Sequence, residues 1–585
     1  MAVLANRFES VVRAMRNTLI RTARSGVIST ARDFSCCILT SRDEFLAMAE
    51  SLPIHLISGP DMMARSMKEL HPDFRRGDAF LHNSPYHGNS HAADHSILVP
   101  VIDKGTHHFT VLAKAHMADC GNSLATTYHA TARDVYEEGA PIFPCVRVQR
   151  DYDDVADIVR MCRLRIRAPE QWWGDHLALL GAARVGEQNL LELGDELGWD
   201  ALREHGAAWL GYSEQRMIDT IRALPGGRVT VKTVHDPFPG VPDGIPINVT
   251  VEVSPEEAMI DVDLRDNVDC QPCGLNLSEA CSTTAAVTGI FNSIDHTVPA
   301  NAGSFRRVRV HLRENCVVGI PRHPTSCSAA TTNVSDRAAN AVQRAMTELG
   351  EGVGLAEIGA TNPPSAAVIS GLDPRAGNAP FVNQLILAMS SGGGGPWADG
   401  WLSGGSINNG GQLLQDSVEV DELKHPIRVV AQHILPDREG AGANRGGPSN
   451  YVEYGPVGCE LCVIFASDGS VFPPQGARGG EPGGCARQHV RRSDGTLSDP
   501  LPSYGELLLE PGETVVSISC GGGGYGKPMA RDPEQVRRDV AEGWISRERA
   551  RDVYRVELDQ AGSVDLLATQ ALRAAGTRTG TSFDT

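Results

Sequence analysis

The densest chemistry in this chain lies in one stretch, "DAFLHNSPYHGNSHAADHSILVPVIDKGTHHFTVLAKAHMAD" (78–119). Two apolar runs, His95 to Ile102 and Phe109 to Ala115, flank the turn "DKGT", the pattern of a β-hairpin. If Ile102 and His107 face each other across the turn, the numbers of paired residues sum to about 209. His116 then lies opposite Asp94 or His95, within one residue, and His91 precedes that strand by one turn of chain. The spacing brings His91, Asp94 and His116 to the open end of the hairpin, with His95 or Asp119 as further candidates. Two imidazoles and a carboxylate suit Zn²⁺, Mn²⁺ or Fe²⁺ and leave positions for water or substrate. Such a site polarises a carbonyl or generates hydroxide near neutral pH. A lone histidine is more often a hydrogen-bonded structural residue, and spacing alone leaves the two readings level.

A second stretch, "SISCGGGGYGKPMARDP" (517–533), resembles a phosphate loop. Gly521, Gly526 and Lys527 fit the first seven positions of G-x-x-x-x-G-K-[ST], and Gly521, Gly523 and Gly526 fit G-x-G-x-x-G. The eighth position is Pro528, which has no hydroxyl to hold Mg²⁺. No helix opens after the lysine; the next helix signal is Asp532-Pro533. The run is expected to be a tight glycine turn where backbones approach closely, and "GAGANRG" (440–446) another turn. Neither H-E-x-x-H nor G-x-S-x-G occurs. Of two C-x-x-C pairs, Cys459/Cys462 lie on a strand-like run and point to opposite faces. Cys270/Cys273 lie in a loop, without two further ligands at zinc spacing. Free thiols are expected.

The positioning elements follow from periodicity. Phe8, Val11, Val12, Met15, Leu19 and Ile20 recur at helical spacing within 5–24. Helices are expected also at "GPDMMARSMKEL", 180–222, 278–292, 335–349 and, as two short pieces, 533–556. From about 228 the pattern is strand-rich ("RVTVKTV", "INVTVEVS", "MIDVDL"). The fold class is α+β, a multi-domain mixed α/β chain. It divides into an N-terminal region with the hairpin (1–227), a strand-rich region with glycine-rich loops (228–516), the glycine turn with two short helices (517–560) and a mobile tail (561–585). The 585 residues are 41% hydrophobic and 21% charged, as in ordinary globular proteins. A net charge of -19 argues against nucleic acid or an anionic membrane as partner. With no membrane-spanning run and no signal-type apolar core, a cytoplasmic location is expected.

Taken together, "RDFSC" (32–36), "LPIHL" (52–56), "GDAFLHNSPYHGNSHAAD" (77–94), "AHMADCG" (115–121), "YEEGAPIFP" (136–144), "GGGG" (392–395), "GAGANRGG" (440–447) and the closing 521–556 carry a resemblance. In order and spacing they resemble the B-type subunit of the hydantoinase/oxoprolinase family, which includes the corresponding subunits of acetone and acetophenone carboxylases. The resemblance spans about residues 5 to 556. It implies that Asp33 joins His91, Asp94 and His116 around a divalent metal, with His55, Asn83, Tyr86 and Glu137 in the surrounding pocket. Where many relatives have N-D-P-Y, this chain has Asn83-Ser84-Pro85-Tyr86. In similar proteins a separate A-type subunit with an actin-like fold uses Mg-ATP to phosphorylate the carbonyl oxygen of a cyclic amide, or of a ketone in the carboxylases. The resemblance therefore implies a hetero-oligomer such as (AB)₂, a small-molecule substrate and no nucleotide in this chain. Ring opening of a cyclic amide is the leading expectation, ketone carboxylation the alternative, and a non-catalytic scaffold the third.

Overall fold

The computed structural model describes residues 2–359 and 363–578. Its N-terminal part is built on a seven-stranded antiparallel sheet in the order 45–48, 34–40, 106–116, 94–103, 79–82, 146–150, 153–154. One face packs Phe34, Cys36, Ile38, Ile97, Val99, Val111 and Ala113 against the helices Ala2–Thr22 and Pro169–Leu197. The other turns Cys37, Leu39, Phe80, Leu98 and Leu112 onto Met63, Ala64 and Met67 of the helix Pro60–Leu70. Both faces are covered, so these central strands read as continuous apolar runs. In the first helix Phe8, Val11, Val12, Met15 and Leu19 are all buried, as their spacing predicts.

The hairpin forms from Asp94–Asp103 and Thr106–His116. Ile102 faces His107 as expected, but the register shifts between Val101 and Ile102, so that Val101 faces Phe109 and Asp94 faces His116. That one-residue bulge decides which of two adjacent side chains joins His116, because neighbouring residues point to opposite faces. Asp94 shares its face. His95 is turned the other way, where the indole N–H of Trp172 reaches its Nδ1 at 3.4 Å.

The expected strands at 228 and beyond are Gly227–His235, Ile245–Ser254 and Met259–Asp263; with Val308–His311 they form a four-stranded sheet. The helices Glu279–Phe291 and Val334–Leu349 pack on one another, the second also on this sheet. Two further four-stranded sheets, 379–384/368–373/461–466/504–509 and 427–434/450–456/514–518/487–491, share a core of Ile369, Val452, Tyr454, Val463, Phe465 and Val515. The helix expected over 180–222 is two helices, Pro169–Leu197 and Trp199–Ala223, parted at Gly198 with φ 84°. No helix among the described residues is long and apolar enough to cross a membrane, and all fourteen cysteines are free.

The glycine run corrects its expected form. Residues 521–524 are not a turn but a buried segment without regular secondary structure, enclosed by other stretches of backbone. The N–H groups of Gly521, Gly522, Gly523 and Gly524 bond the carbonyls of Gly484, Gly447, Glu357 and Glu481, at 3.0, 2.9, 2.9 and 2.9 Å. Successive residues thus reach different neighbouring chains. A Cβ on them would lie 1.9, 1.9, 2.1 and 2.1 Å from the backbone oxygens of Arg438, Gly392, Gln475 and Ala441. These N–H groups are consumed, and none remains to cradle a phosphate. Beyond the run, buried Arg531 ties the bundle to the C-terminal helices, bonding Asp399 at 2.6 and 2.7 Å and Asp539 at 3.0 Å. Part of the stretch read as a mobile tail is a helix, Leu566–Arg578, held where Arg573 donates to the Arg531 carbonyl at 2.6 Å. Residues 579–585 of that stretch lie outside the described residues.

One buried pair gives the fold a pH dependence. Asp416 and Asp421 each carry a buried carboxylate oxygen without a partner. Burial, then the charge of Asp416, pushes Asp421 from the ordinary 3.8 to about 8, while burial pushes Asp416 to about 6. A raised carboxyl contributes stability that is full below the ordinary value and is lost as pH rises through the raised ones. Asp421→Asn removes one of the two charges. It should be more stable than the native chain by about 1 kcal/mol or more at pH 8.5, and show no such gain at pH 4.5. Urea midpoints at the two pH values measure this; equal differences at both would contradict it.

Candidate metal centre

Four segments meet at the open end of the hairpin. Asp33 precedes the strand Phe34–Thr40, and its carbonyl accepts the His116 N–H at 3.0 Å. The loop before Asp94 carries His91 and is fixed by Asn89, whose side-chain amide donates to the carbonyls of His91 and Asp94 at 2.7 and 2.8 Å. His55 comes from the short helical turn Pro53–Leu56. The fourth segment, 326–332, leads into the helix Val334–Leu349.

Around Asp94 the distances are short. Its Oδ1 lies 2.9 Å from His91 Nε2 and 3.0 Å from His116 Nδ1, and the two nitrogens are 3.2 Å apart. Among the described residues, these are the one group of three or more His, Cys, Asp or Glu side chains whose ligand atoms all lie within 4.8 Å of one another. Oδ2 of Asp94 accepts the Ser90 hydroxyl and faces His55 Nε2 at 3.3 Å and Lys114 Nζ at 3.6 Å. Burial alone would raise the Asp94 carboxyl, but His91, His55 and Lys114 hold it well below the usual range. Asp33 lies 3.5 Å from His55. Burial raises its carboxyl, and His116 and His55 offset only part of that.

These residues fit a divalent cation. His91 Nδ1 is 2.7 Å from the Ser328 carbonyl, which can only accept, so Nδ1 carries a proton; Nε2, which donates to Asp94 in the absence of an ion, is the nitrogen a divalent ion would take. A ligating histidine is oriented in this way, with its other nitrogen donating to a carbonyl. His116 Nε2 is buried without a partner. Imidazole nitrogens and carboxylate oxygens together suit a metal of borderline hardness.

Beside the group is a cavity of about 20 Å³, room for one water. Asp33, His55, Asp94 and His116 line one side; Tyr128, Thr331, Thr332, Gln384 and Asn409 line the other. The Tyr128 ring stacks on His116 at 5.2 Å, and its hydroxyl bonds Gln384 and Thr331.

Of the residues implied for the pocket, His55 is at the centre, whereas Asn83, Tyr86 and Glu137 do not line the cavity. Asn83 braces the loop, donating to the carbonyls of Ala92 and Pro141 and accepting from the Phe143 N–H at 2.6 Å. The Tyr86 hydroxyl donates to the Thr325 carbonyl at 2.6 Å. Glu137 is paired with Arg133 near the surface, and it is its neighbour Glu138 that turns inward to accept the Ser326 hydroxyl at 2.7 Å. Ser84 Oγ lies 2.8 Å from His87 Nδ1. Asp119 is likewise used locally, accepting the N–H groups of Gly121 and Arg167. Lys114 and the Tyr128–Gln384–Asn409 wall were not read from the sequence. Lys114 alone left a signal: a lysine in the apolar run "TVLAKAH", directly opposite Ser35 and Ser96.

The family model described as Hydantoinase B/oxoprolinase matches residues 1–528. Caprolactamase subunit beta of Pseudomonas jessenii is 29% identical over 98% of each chain. The crystal structure of the ATP-dependent caprolactamase from that organism superposes with a TM-score of 0.87, at 26% identity over 98% of both chains. The acetophenone carboxylase delta subunit of Aromatoleum aromaticum is 24% identical over 96% of this chain and 86% of its own. The matched residues take in the hairpin, the group at its open end and the glycine run: this chain belongs to the hydantoinase B/oxoprolinase family.

Proposed function

We propose that the chain is the ring-opening B-type subunit of an ATP-dependent cyclic amide hydrolase, with His91, Asp94 and His116 holding one divalent metal and Asp33 beside them. The carrying observation is the nitrogen–oxygen–nitrogen group on a polar cavity, in a chain similar along its whole length to a caprolactamase subunit. When bound, a divalent ion there supplies Lewis acidity and acidifies a water. The protein's own groups do the rest. Ser328 fixes the His91 ring, and Ser90, His55 and Lys114 hold the far oxygen of Asp94, so the ligands are positioned before substrate arrives. Asp33 offers a carboxylate on the cavity wall to take a proton from the attacking water. Tyr128, Thr331, Gln384 and Asn409 provide donors and acceptors for the attacking water and for the carbonyl end that meets it. The small cavity excludes bulk water, which would hydrolyse an activated substrate elsewhere.

ATP chemistry belongs, in this reading, to an A-type partner that phosphorylates the amide oxygen. Support comes from the glycine run 521–524, whose N–H groups are spent on protein carbonyls. The test is the reconstituted pair with Mg-ATP, given hydantoin, 5-oxoproline, caprolactam, and ketones with labelled bicarbonate. Ring opening is expected only with both subunits and ATP. Opening by this chain alone would refute the division of labour. Label fixed into an acid, with no cyclic amide opened, would make the chain a carboxylase subunit.

A further inference from the structure

The cavity beside His116, at about 20 Å³, holds a water but not a cyclic amide. The ring must be received elsewhere. Next to it is an apolar cleft of about 310 Å³. Trp397 and Trp401 line it with Leu355, Ile358 and Ile407, and much of the remaining wall is glycine backbone. The two indoles are 84% and 65% exposed. Exposed aromatic surface gathered around a concavity marks a binding site more often than an accident of folding.

A single turn divides this cleft from the candidate metal centre. In Ile407–Asn409, Ile407 lines the cleft and Asn409 lines the small cavity. Asn408 pins the turn to the helix Val334–Leu349, its amide donating to Ser335 Oγ at 2.9 Å and Asp336 Oδ1 at 3.1 Å. Ser406 Oγ donates to the same Asp336 oxygen at 2.7 Å. Gly405, Gly410 and Gly411 flank it at φ 71°, 56° and 71°. The turn is thus thin, with an apolar residue on the cleft and a polar one on the small cavity, and glycines on either side of it.

We propose that the Trp397–Trp401 cleft receives the apolar ring of the cyclic amide, and that the Ile407–Asn409 turn is the partition past which the carbonyl end reaches the metal centre. The assignment rests on the cyclic-amide reading above. It makes the two tryptophans specificity-determining: caprolactam, with its run of methylenes, depends on them more than hydantoin, which has one.

Two measurements test it. In the reconstituted pair, Trp397→Ala and Trp401→Ala should each raise KM for caprolactam about tenfold, shift that for hydantoin less than about threefold, and leave metal content unchanged. In the chain labelled with 5-fluorotryptophan, caprolactam should shift the ¹⁹F signals of Trp397 and Trp401. An unchanged KM for caprolactam overturns the proposal. So does a weakened association with the partner subunit at unchanged KM, which makes the cleft a subunit contact. If the unmutated pair opens no cyclic amide, the hydrolase reading fails, and the ¹⁹F spectrum decides the cleft separately: indole signals that ignore caprolactam overturn it, and a selective shift at these two upholds it.

Discussion

Gly522→Ala should prevent the chain from reaching its native state. The added methyl would lie 1.9 Å from the Gly392 carbonyl oxygen, 2.4 Å from its carbon and 2.9 Å from the Gly393 nitrogen. All three are backbone atoms among mutually hydrogen-bonded segments, so none can swing aside as a side-chain tip would. Relief requires separating the segments and breaking bonds such as Gly522 N–H to Gly447 and Gly394 N–H to Gly523. A cost above about 4 kcal/mol is expected, a large share of the roughly 5–15 kcal/mol that holds a domain folded. Gly495→Ala is the control. Its φ of 87° disfavours alanine, but nothing lies within 4 Å, so the loss should stay near about 1 kcal/mol. Soluble yield and thermal unfolding compare the two; a native-like melting temperature for Gly522→Ala would contradict this close backbone packing.

His91→Ala should leave the chain folded and lower turnover of the reconstituted pair by at least about 10³-fold, about 4 kcal/mol of transition-state stabilisation. The choice of residue matters. Removing His91 strands the Ser328 carbonyl, at a cost of about 1–2 kcal/mol. Removing Asp94 instead takes from Lys114, 1% exposed, the carboxylate 3.6 Å from its ammonium. That would destabilise by about 3–5 kcal/mol and mix folding with chemistry. An activity within tenfold of native for His91→Ala would show that the chemistry lies elsewhere.

What the sequence disclosed about this site follows the range of the interactions. The hairpin and its three side chains are local, and turn position with strand alternation suffices to bring them together. The choice between Asp94 and His95 was not legible, because it depends on a bulge between Val101 and Ile102 that leaves no mark in residue type. Asp33 and His55 came from family resemblance alone, since both arrive from outside the hairpin. Tyr128, Thr331, Gln384 and Asn409 come from segments up to hundreds of residues away, and a polar residue in a loop carries no sign of which cavity it will line. Asn83, Tyr86 and Glu137 show the converse: a motif residue can be kept for bracing a loop. The glycine run was legible as close backbone approach but not as a fully enclosed segment, because the stretches enclosing it are remote in sequence.

The central claim, that His91, Asp94 and His116 hold the metal, is tested most directly by the metal-to-chain ratio. Elemental analysis of native and His91→Ala protein, both purified without chelator, should find about one divalent ion per native chain and almost none in the variant, with matching circular dichroism. The same occupancy in both proteins would contradict the assignment.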